Sequence, residues 1–193
     1  QQVILAARKK AQKKGLKLAV MSFFPHPKTV FSNEEVDYLM PMEKKGESFR
    51  SLGVELFYIV DFTKSFAALQ PRQFVQQYLV GLQVQYAVAG FDYTYGTKGA
   101  GTIDTIESDS EGKIKVGVVK RFAISGEKVS STCIRKKLKQ GYVEEVTALL
   151  GKPYSIQYSM KHGLHVYYTL PERGEYYVTI LVGKRAISQK IYV

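Results

Sequence analysis

The spacing of apolar residues changes several times along the chain, and each change marks an element. Val3, Ile4, Ala7 and Ala11 recur at intervals of three and four, which predicts a helix over residues 1–15 that stops at Gly15. Leu16 to Phe24 is mostly apolar and ends in Pro25-His26-Pro27, the pattern of a buried strand. Glu34 to Leu52 is expected to be mostly helical, with Gly53 as its stop. Val54 to Val60 reads as a second strand and Asp61 to Leu69 as a loop or short helix. Pro71 to Leu79 reads as a helix with proline in its first turn. Gln85 to Ala89 is a third strand that ends at Gly90. Ile103 to Glu107 and Lys113 to Phe122 are expected as further strands, joined by the polar turn Ser108 to Gly112. Two helices come next, Ser131 to Lys139 and Val143 to Leu150, broken at Gly141.

Strands and helices that alternate in this way predict an α/β fold, a doubly wound and mainly parallel sheet with helices on both faces. Right-handed crossovers then bring the loops after the strands to one rim, where such sheets take ligands. A chain that opens on a helix lacks the strand that ordinarily precedes it, so the N-terminus is expected to be incomplete. The pattern shifts at Gly151-Lys152-Pro153. Beyond it Tyr158, Tyr167, Tyr168, Tyr176, Tyr177 and Tyr192 sit among β-branched residues without helical spacing. Two domains are therefore expected, residues 1–152 and a small β-rich domain of antiparallel strands over 153–193. About 40 residues make a marginal core, so the second is expected to pack on the first or on a partner.

Composition narrows the function. No apolar run reaches about 18 residues, so no membrane span is expected, and the first ten residues do not make a signal peptide. The single cysteine, Cys133, leaves no intramolecular disulfide and no cysteine-based metal cluster, which suits a reducing cytoplasm. Cys133 itself reads as a packing residue. His162 and His165 stand three apart without Cys, Asp or Glu nearby, so no metal ligands are assigned. The net charge of +11, from 28 Lys and Arg against 17 Asp and Glu, favours anionic partners. The basic residues are dispersed, without the blocks of a nucleic-acid arm. That weakens the nucleic-acid reading and leaves phosphorylated metabolites open.

Three segments carry candidate chemistry. Phe24-Pro25-His26-Pro27 comes directly after a strand. There His26 is either a hydrogen-bond donor to phosphate or a surface histidine in a stiff turn. Gly90-Phe91-Asp92-Tyr93-Thr94-Tyr95-Gly96 comes directly after the third strand. Asp92 could accept from a ligand ring N–H, and the alternating aromatics could flank a planar ring or simply fill the core. Thr97 to Thr102 extends this loop without P-loop spacing, and no GxGxxG is present. In Val129 to Arg135, Ser130, Ser131 and Thr132 open a helix and Arg135 lies one turn in. Free N–H groups, the helix dipole and a guanidinium make this a candidate phosphate site, or an ordinary capped helix with a basic face. On the expected rim the three would meet, as a site for a planar ring plus phosphates.

In this order the three segments resemble the bacterial FAD synthetase family of the nucleotidylyltransferase superfamily. The family's F-x-P-H-P is similar to Phe23 to Pro27, its G-x-D-F-x-F-G to Gly90 to Gly96, and its I-S-S-T-x-I-R to Val129 to Arg135. Phe66 to Pro71, Tyr78 to Leu82 and Leu150 to Tyr154 also resemble it. The resemblance spans residues 1 to about 156. It implies a Rossmann-like nucleotidylyltransferase fold and the reaction of FMN with ATP and magnesium to give FAD and pyrophosphate. It implies that Ser131, Thr132 and Arg135 hold the ATP phosphates, with Ser130 beside them. It places His26 and Asp92 at the flavin and phosphate side, and Phe24, Pro25, Gly90, Tyr93 and Tyr95 along the flavin. The family's N-terminal G-x-F-D-G-x-H-x-G-H is absent from these residues, and Gln1 to Ile4 resembles the family's segment immediately C-terminal to that motif. The G-x-P-T-x-N of a riboflavin kinase is also absent, so residues 155–193 are expected to be a reduced remnant without kinase activity. A catalytically inactive flavin-nucleotide-binding regulator is the alternative implied by the missing histidines.

Overall fold

A computed structural model describes residues 1–32, 36–120, 123–124, 127–164 and 168–193. The chain divides into two compact units. The first comprises Gln1–Val36 and Met42–Phe122, the second Asp37–Pro41 and Ala123–Val193. The expected boundary at 152–153 falls inside the second unit.

The first unit is α/β. Helix α1 (Gln2–Lys14) closes at Gly15 with Lys13 and Lys14 in its last turn, where cations favour the helix dipole. Strand β1 (Ala19–Phe24) comes next, then α2 (Pro27–Ser32) and α3 (Met42–Ser51). Strand β2 (Leu56–Asp61) pairs parallel with β1, Ala19 opposite Leu56 and Phe24 opposite Asp61. Helix α4 (Lys64–Ala67) starts at Thr63, whose hydroxyl oxygen accepts from the Phe66 amide at 3.1 Å. Helix α5 (Pro71–Phe74) continues as the π-helical segment Val75–Val80. Strand β3 (Tyr86–Gly90) leads into a small antiparallel pair, β4 (Thr94–Tyr95) and β5 (Gly101–Thr102). Helix α6 (Ile106–Asp109) precedes β6 (Lys115–Val119), which pairs parallel with β3.

Two expectations need correction. Of Glu34 to Leu52, only Met42–Ser51 is helical, and residues 33–35 lie outside the described residues. Pro41 supplies the reason: it lacks an N–H and pushes the preceding residue out of the helical region, so the helix begins after it. Ile103 to Glu107 is not a strand. Ile103–Thr105 forms a 3₁₀ turn that runs into α6. Ile103 and Ile106, three apart, are both 1% exposed, which is helical rather than strand spacing. A reciprocal pair of bonds between Thr102 and Thr105 caps that turn, and each buried isoleucine contributes about 2 kcal/mol. Among the described residues β1–β2 and β3–β6 are separate two-stranded sheets.

The second unit holds the short pair β7 (Ala123–Ile124) and β8 (Glu127–Lys128), then helices α7 (Ser131–Leu138) and α8 (Val143–Leu150). Ile134, Leu138, Val146 and Leu149 form its core, joined by Leu39 and Tyr154. The tail contains β9 (Tyr158–Ser159), β10 (Gly163–Leu164), β11 (Glu175–Val182) and β12 (Arg185–Tyr192), paired antiparallel as expected. It is tied to other residues of this unit. The Glu172 amide donates to the Leu138 carbonyl at 3.0 Å, and the Thr169 amide to the Tyr38 carbonyl at 2.8 Å. The Tyr154 hydroxyl donates to the Thr169 carbonyl at 2.9 Å, and burial pushes its pKa upward. No helix among the described residues is long and apolar enough to cross a membrane.

Candidate functional site

The C-terminal ends of β1, β2 and β3 open onto one cavity of about 660 Å³. Phe23 and Pro27 enter from the end of β1, Phe62 from just beyond β2, and Tyr93 and Tyr95 from the segment after β3. Elementary topology accounts for this: parallel strands of one hand present their exits on one side. The rim expected for the first two segments is thus realised within the first unit.

The walls are aromatic. Phe23 meets Phe66 at 5.4 Å between ring centroids and Phe62 at 6.2 Å, edge to face. Phe66 packs edge to face on Phe74 at 6.0 Å, and Phe74 lies 5.4 Å from Tyr95. Tyr93 and Tyr95 stack at 6.0 Å with 29° between their planes. Such offset and edge arrangements suit the ring quadrupoles. A flat hydrophobic ring system would find matching faces here. Lys64 and Lys98 also line the cavity and bring positive charge to it.

Tyr95 anchors the arrangement. It is 6% exposed, and its hydroxyl donates to Asp109 Oδ2 at 2.6 Å and bonds Thr105 Oγ1 at 2.8 Å. Burial, then the Asp109 carboxylate, raise its pKa, so the phenol stays neutral. Burial pushes the Tyr93 hydroxyl up to about 12. Two glycines make room. A Cβ on Gly101 would stand 2.5 Å from the Tyr95 ring, and one on Gly96 would stand 2.8 Å from the Pro71 backbone. Gly96 also has φ 71°, a conformation that favours glycine.

The other sequence-derived residues of this unit take different places. Phe24, joined by a cis peptide to Pro25, is 38% exposed and is not part of the cavity wall. His26 is half-buried and its Nδ1 accepts from the Lys28 amide at 3.2 Å. That bond places the ring proton of a neutral His26 on Nε2, the donor side. Asp92 is exposed in a tight turn closed by the Tyr93 amide on the Gly90 carbonyl at 3.0 Å. Gly90 lines a second cavity, between β1 and β3. Phe31, Phe62, Phe74, Lys64 and Lys98 were not singled out from the sequence. The available signal was Phe62 and Phe66, four apart across the Thr63 cap, directly after a strand.

The expected phosphate segment belongs to the second unit. Ser130 is the N-cap of α7, extended at φ −146° and ψ 156°, and its hydroxyl oxygen accepts from the Cys133 amide at 3.2 Å. The Ile134 amide bonds the Ser130 carbonyl at 3.0 Å. The amides of Ser131 and Thr132 are therefore left for an anion at the positive end of the helix dipole. Both residues are exposed and Arg135, one turn on, is half-buried. Lys137 and Lys139 are engaged elsewhere, with Glu145 at 2.6 Å and Asp37 at 2.8 Å. Cys133 packs beside the α7–α8 core. Among the described residues no group of three His, Cys, Asp or Glu could hold a metal ion, and His165 lies outside those residues.

Comparison with known proteins identifies the family. The model of the FAD synthetase family matches residues 1–133. A bifunctional riboflavin kinase/FMN adenylyltransferase of Bacillus subtilis is 45% identical over 165 residues, covering 84% of this chain and 52% of that protein. The protein of the same name from Listeria monocytogenes is 43% identical over the same shares. A Listeria monocytogenes FAD synthetase is 28% identical over 91% of this chain and 74% of its own length. The chain thus spans about half the length of the bifunctional relatives. A crystal structure described as a macrolide-efflux protein from Streptococcus pneumoniae has a TM-score of 0.87 at 26% identity, covering 100% of this chain and 76% of that one.

Proposed function

The chain belongs to the FAD synthetase family, and from that premise we propose that it transfers AMP from ATP to FMN, giving FAD and pyrophosphate. The aromatic cavity at the ends of β1, β2 and β3 carries the proposal. Its stacked and edge-on rings suit the isoalloxazine, and its lysines suit a ligand that is also an anion. Tyr93, Tyr95 and Phe23 contact the flavin face. Phe24, Pro25 and Gly90 shape the approach. Asp92 accepts from a flavin ring N–H, and His26 donates through Nε2 to phosphate.

The ATP phosphates lie against the N-terminus of α7. Ser131 and Thr132 donate backbone and hydroxyl hydrogens, Ser130 keeps the helix start in place, and Arg135 grips phosphate oxygens with two bonds. A phosphate oxygen of FMN attacks the α-phosphorus. The new P–O bond forms as the bond to the bridging oxygen breaks, and pyrophosphate leaves with that electron pair. The protein supplies alignment and charge neutralisation. Magnesium is supplied with the nucleotide. The cytoplasm, where all these solutes occur, is the proposed location.

The test is turnover. The protein, given FMN, ATP and magnesium, is expected to form FAD and pyrophosphate in equal amounts. Binding of FMN and ATP without FAD would replace the enzyme reading by that of a flavin-nucleotide-binding protein. Salt-dependent binding of RNA or DNA without either ligand would overturn both.

A further inference from the structure

The aromatic cavity carries charge of one sign. Among the described residues that line it there is no Asp or Glu, and Lys64 and Lys98 are its only charged side chains. Tyr93 and Tyr95 stay neutral, because burial disfavours their phenolates. The charge is also placed unevenly. Phe74 and Tyr95 are 2% and 6% exposed, whereas both lysines are exposed. The rings therefore form the depth of the cavity and the two ammonium groups stand at its mouth. Local structure holds each in place. Lys64 opens α4 directly after Thr63, the residue that caps this helix. Lys98 is the middle residue of the 3₁₀ turn Thr97–Gly99. The Thr97 amide ties this turn to the Leu69 carbonyl at 2.7 Å, and the Gly99 amide closes it on the Gly96 carbonyl at 3.0 Å.

The backbone of Lys98 has φ 53° and ψ 20°, the left-handed region that residues with a Cβ rarely adopt. Glycine would suit this turn better, so the turn itself does not call for a lysine. A strained residue at the edge of a cavity points to a use for its side chain. Resting on the reading of this cavity as a flavin site, we propose that Lys64 and Lys98 bind the phosphate of FMN and make the cavity select the phosphorylated flavin over riboflavin. The isoalloxazine enters among the rings by shape. The ribityl chain leads outward, so the phosphate arrives at the mouth with about two negative charges at neutral pH. Two of its terminal oxygens accept from the ammonium groups, and the third is left to attack. Riboflavin ends at the same point in a hydroxyl, which gains nothing from two cations. Both contacts stand in water, so each is modest and screened by salt.

Flavin fluorescence titration with FMN and with riboflavin tests this. At low salt the protein is expected to bind FMN about 20-fold more tightly than riboflavin, a ratio that falls several-fold in about 0.5 M sodium chloride. Lys98→Gly keeps the turn and removes the ammonium. This variant and Lys64→Gln should each lower FMN affinity about fivefold and leave riboflavin affinity unchanged. The double variant should bring the two flavins to within about threefold, and Lys98→Arg should keep most of the preference. The proposal is overturned if the protein binds FMN and riboflavin equally. It is equally overturned if the variants weaken both flavins by the same factor, which would make the lysines part of the cavity's frame. Binding of neither flavin would overturn the flavin reading itself, and this proposal with it.

Discussion

The aromatic cavity of the first unit and the start of α7 in the second differ in what builds them. The cavity is made by packing. Its rings are held by one another, by the Tyr95 bond to Asp109, and by glycines that leave no room for a Cβ. The start of α7 is made by the backbone. Its binding groups are amides exposed because a helix has ended, plus one guanidinium a turn away. The first therefore selects shape and the second selects charge. The proposed reaction, which joins a flavin to a nucleotide, calls for both kinds of group. The two regions should also fail differently: a defect in the cavity costs stability and flavin affinity, whereas one at the helix start costs turnover with little effect on folding.

The largest effect is expected at the helix start. Arg135→Ala should lower turnover about 100-fold or more, with FMN binding unchanged and Arg135→Lys recovering only part of it. Steady-state kinetics with ATP varied, beside flavin titration, checks this. If Arg135→Ala weakens FMN binding as much as turnover, the division between shape and charge is wrong. Next comes Gly101→Ala. Its Cβ would stand 2.5 Å from the Tyr95 ring, so the ring must leave its place. A loss of about 2 kcal/mol in denaturant unfolding is expected, together with weaker flavin binding.

Tyr93 sharpens the comparison through pH. Its pKa lies at about 12 in the folded chain, against 10.0 ordinarily, because burial disfavours the phenolate. The unfolded chain loses this proton first as pH rises. The stabilisation is therefore complete below pH 10 and is lost between pH 10 and about 12. Wild type should lose about 2 kcal/mol relative to Tyr93→Phe over that interval. Parallel stability curves for the two proteins would expose Tyr93 as solvated. The smallest effect belongs to Ser130→Ala, which removes the cap of α7 and should cost about 1 kcal/mol of stability, read from thermal unfolding. Its loss of turnover should be well below that of Arg135→Ala.

Local signals were legible wherever one residue type has one physical use. Gly15 ended α1, Ser130 capped α7, and apolar runs became β1, β2 and β3. Reading failed where two periods fit the same letters. Ile103 to Glu107 has the β-branched content of a strand, and only the joint burial of Ile103 and Ile106 shows that helical spacing prevailed. Glu34 to Leu52 has helical composition, yet Pro41 delays the helix and Tyr38 bridges to Tyr168. At the candidate site, Tyr93 and Tyr95 were visible because they come just after a strand. Phe62, Phe74 and Lys64 were not, since nothing local marks an aromatic or a lysine that a distant loop will face.

By itself the sequence determined the α/β class, the capped start of α7 and the family, because periodicity, capping preference and motif spacing act over a few neighbouring residues. Tertiary structure alone decided which aromatics close the cavity and why Gly101 is confined by Tyr95. These depend on contacts between residues far apart in the chain, whose energies arise from burial and edge pairing that no local pattern encodes.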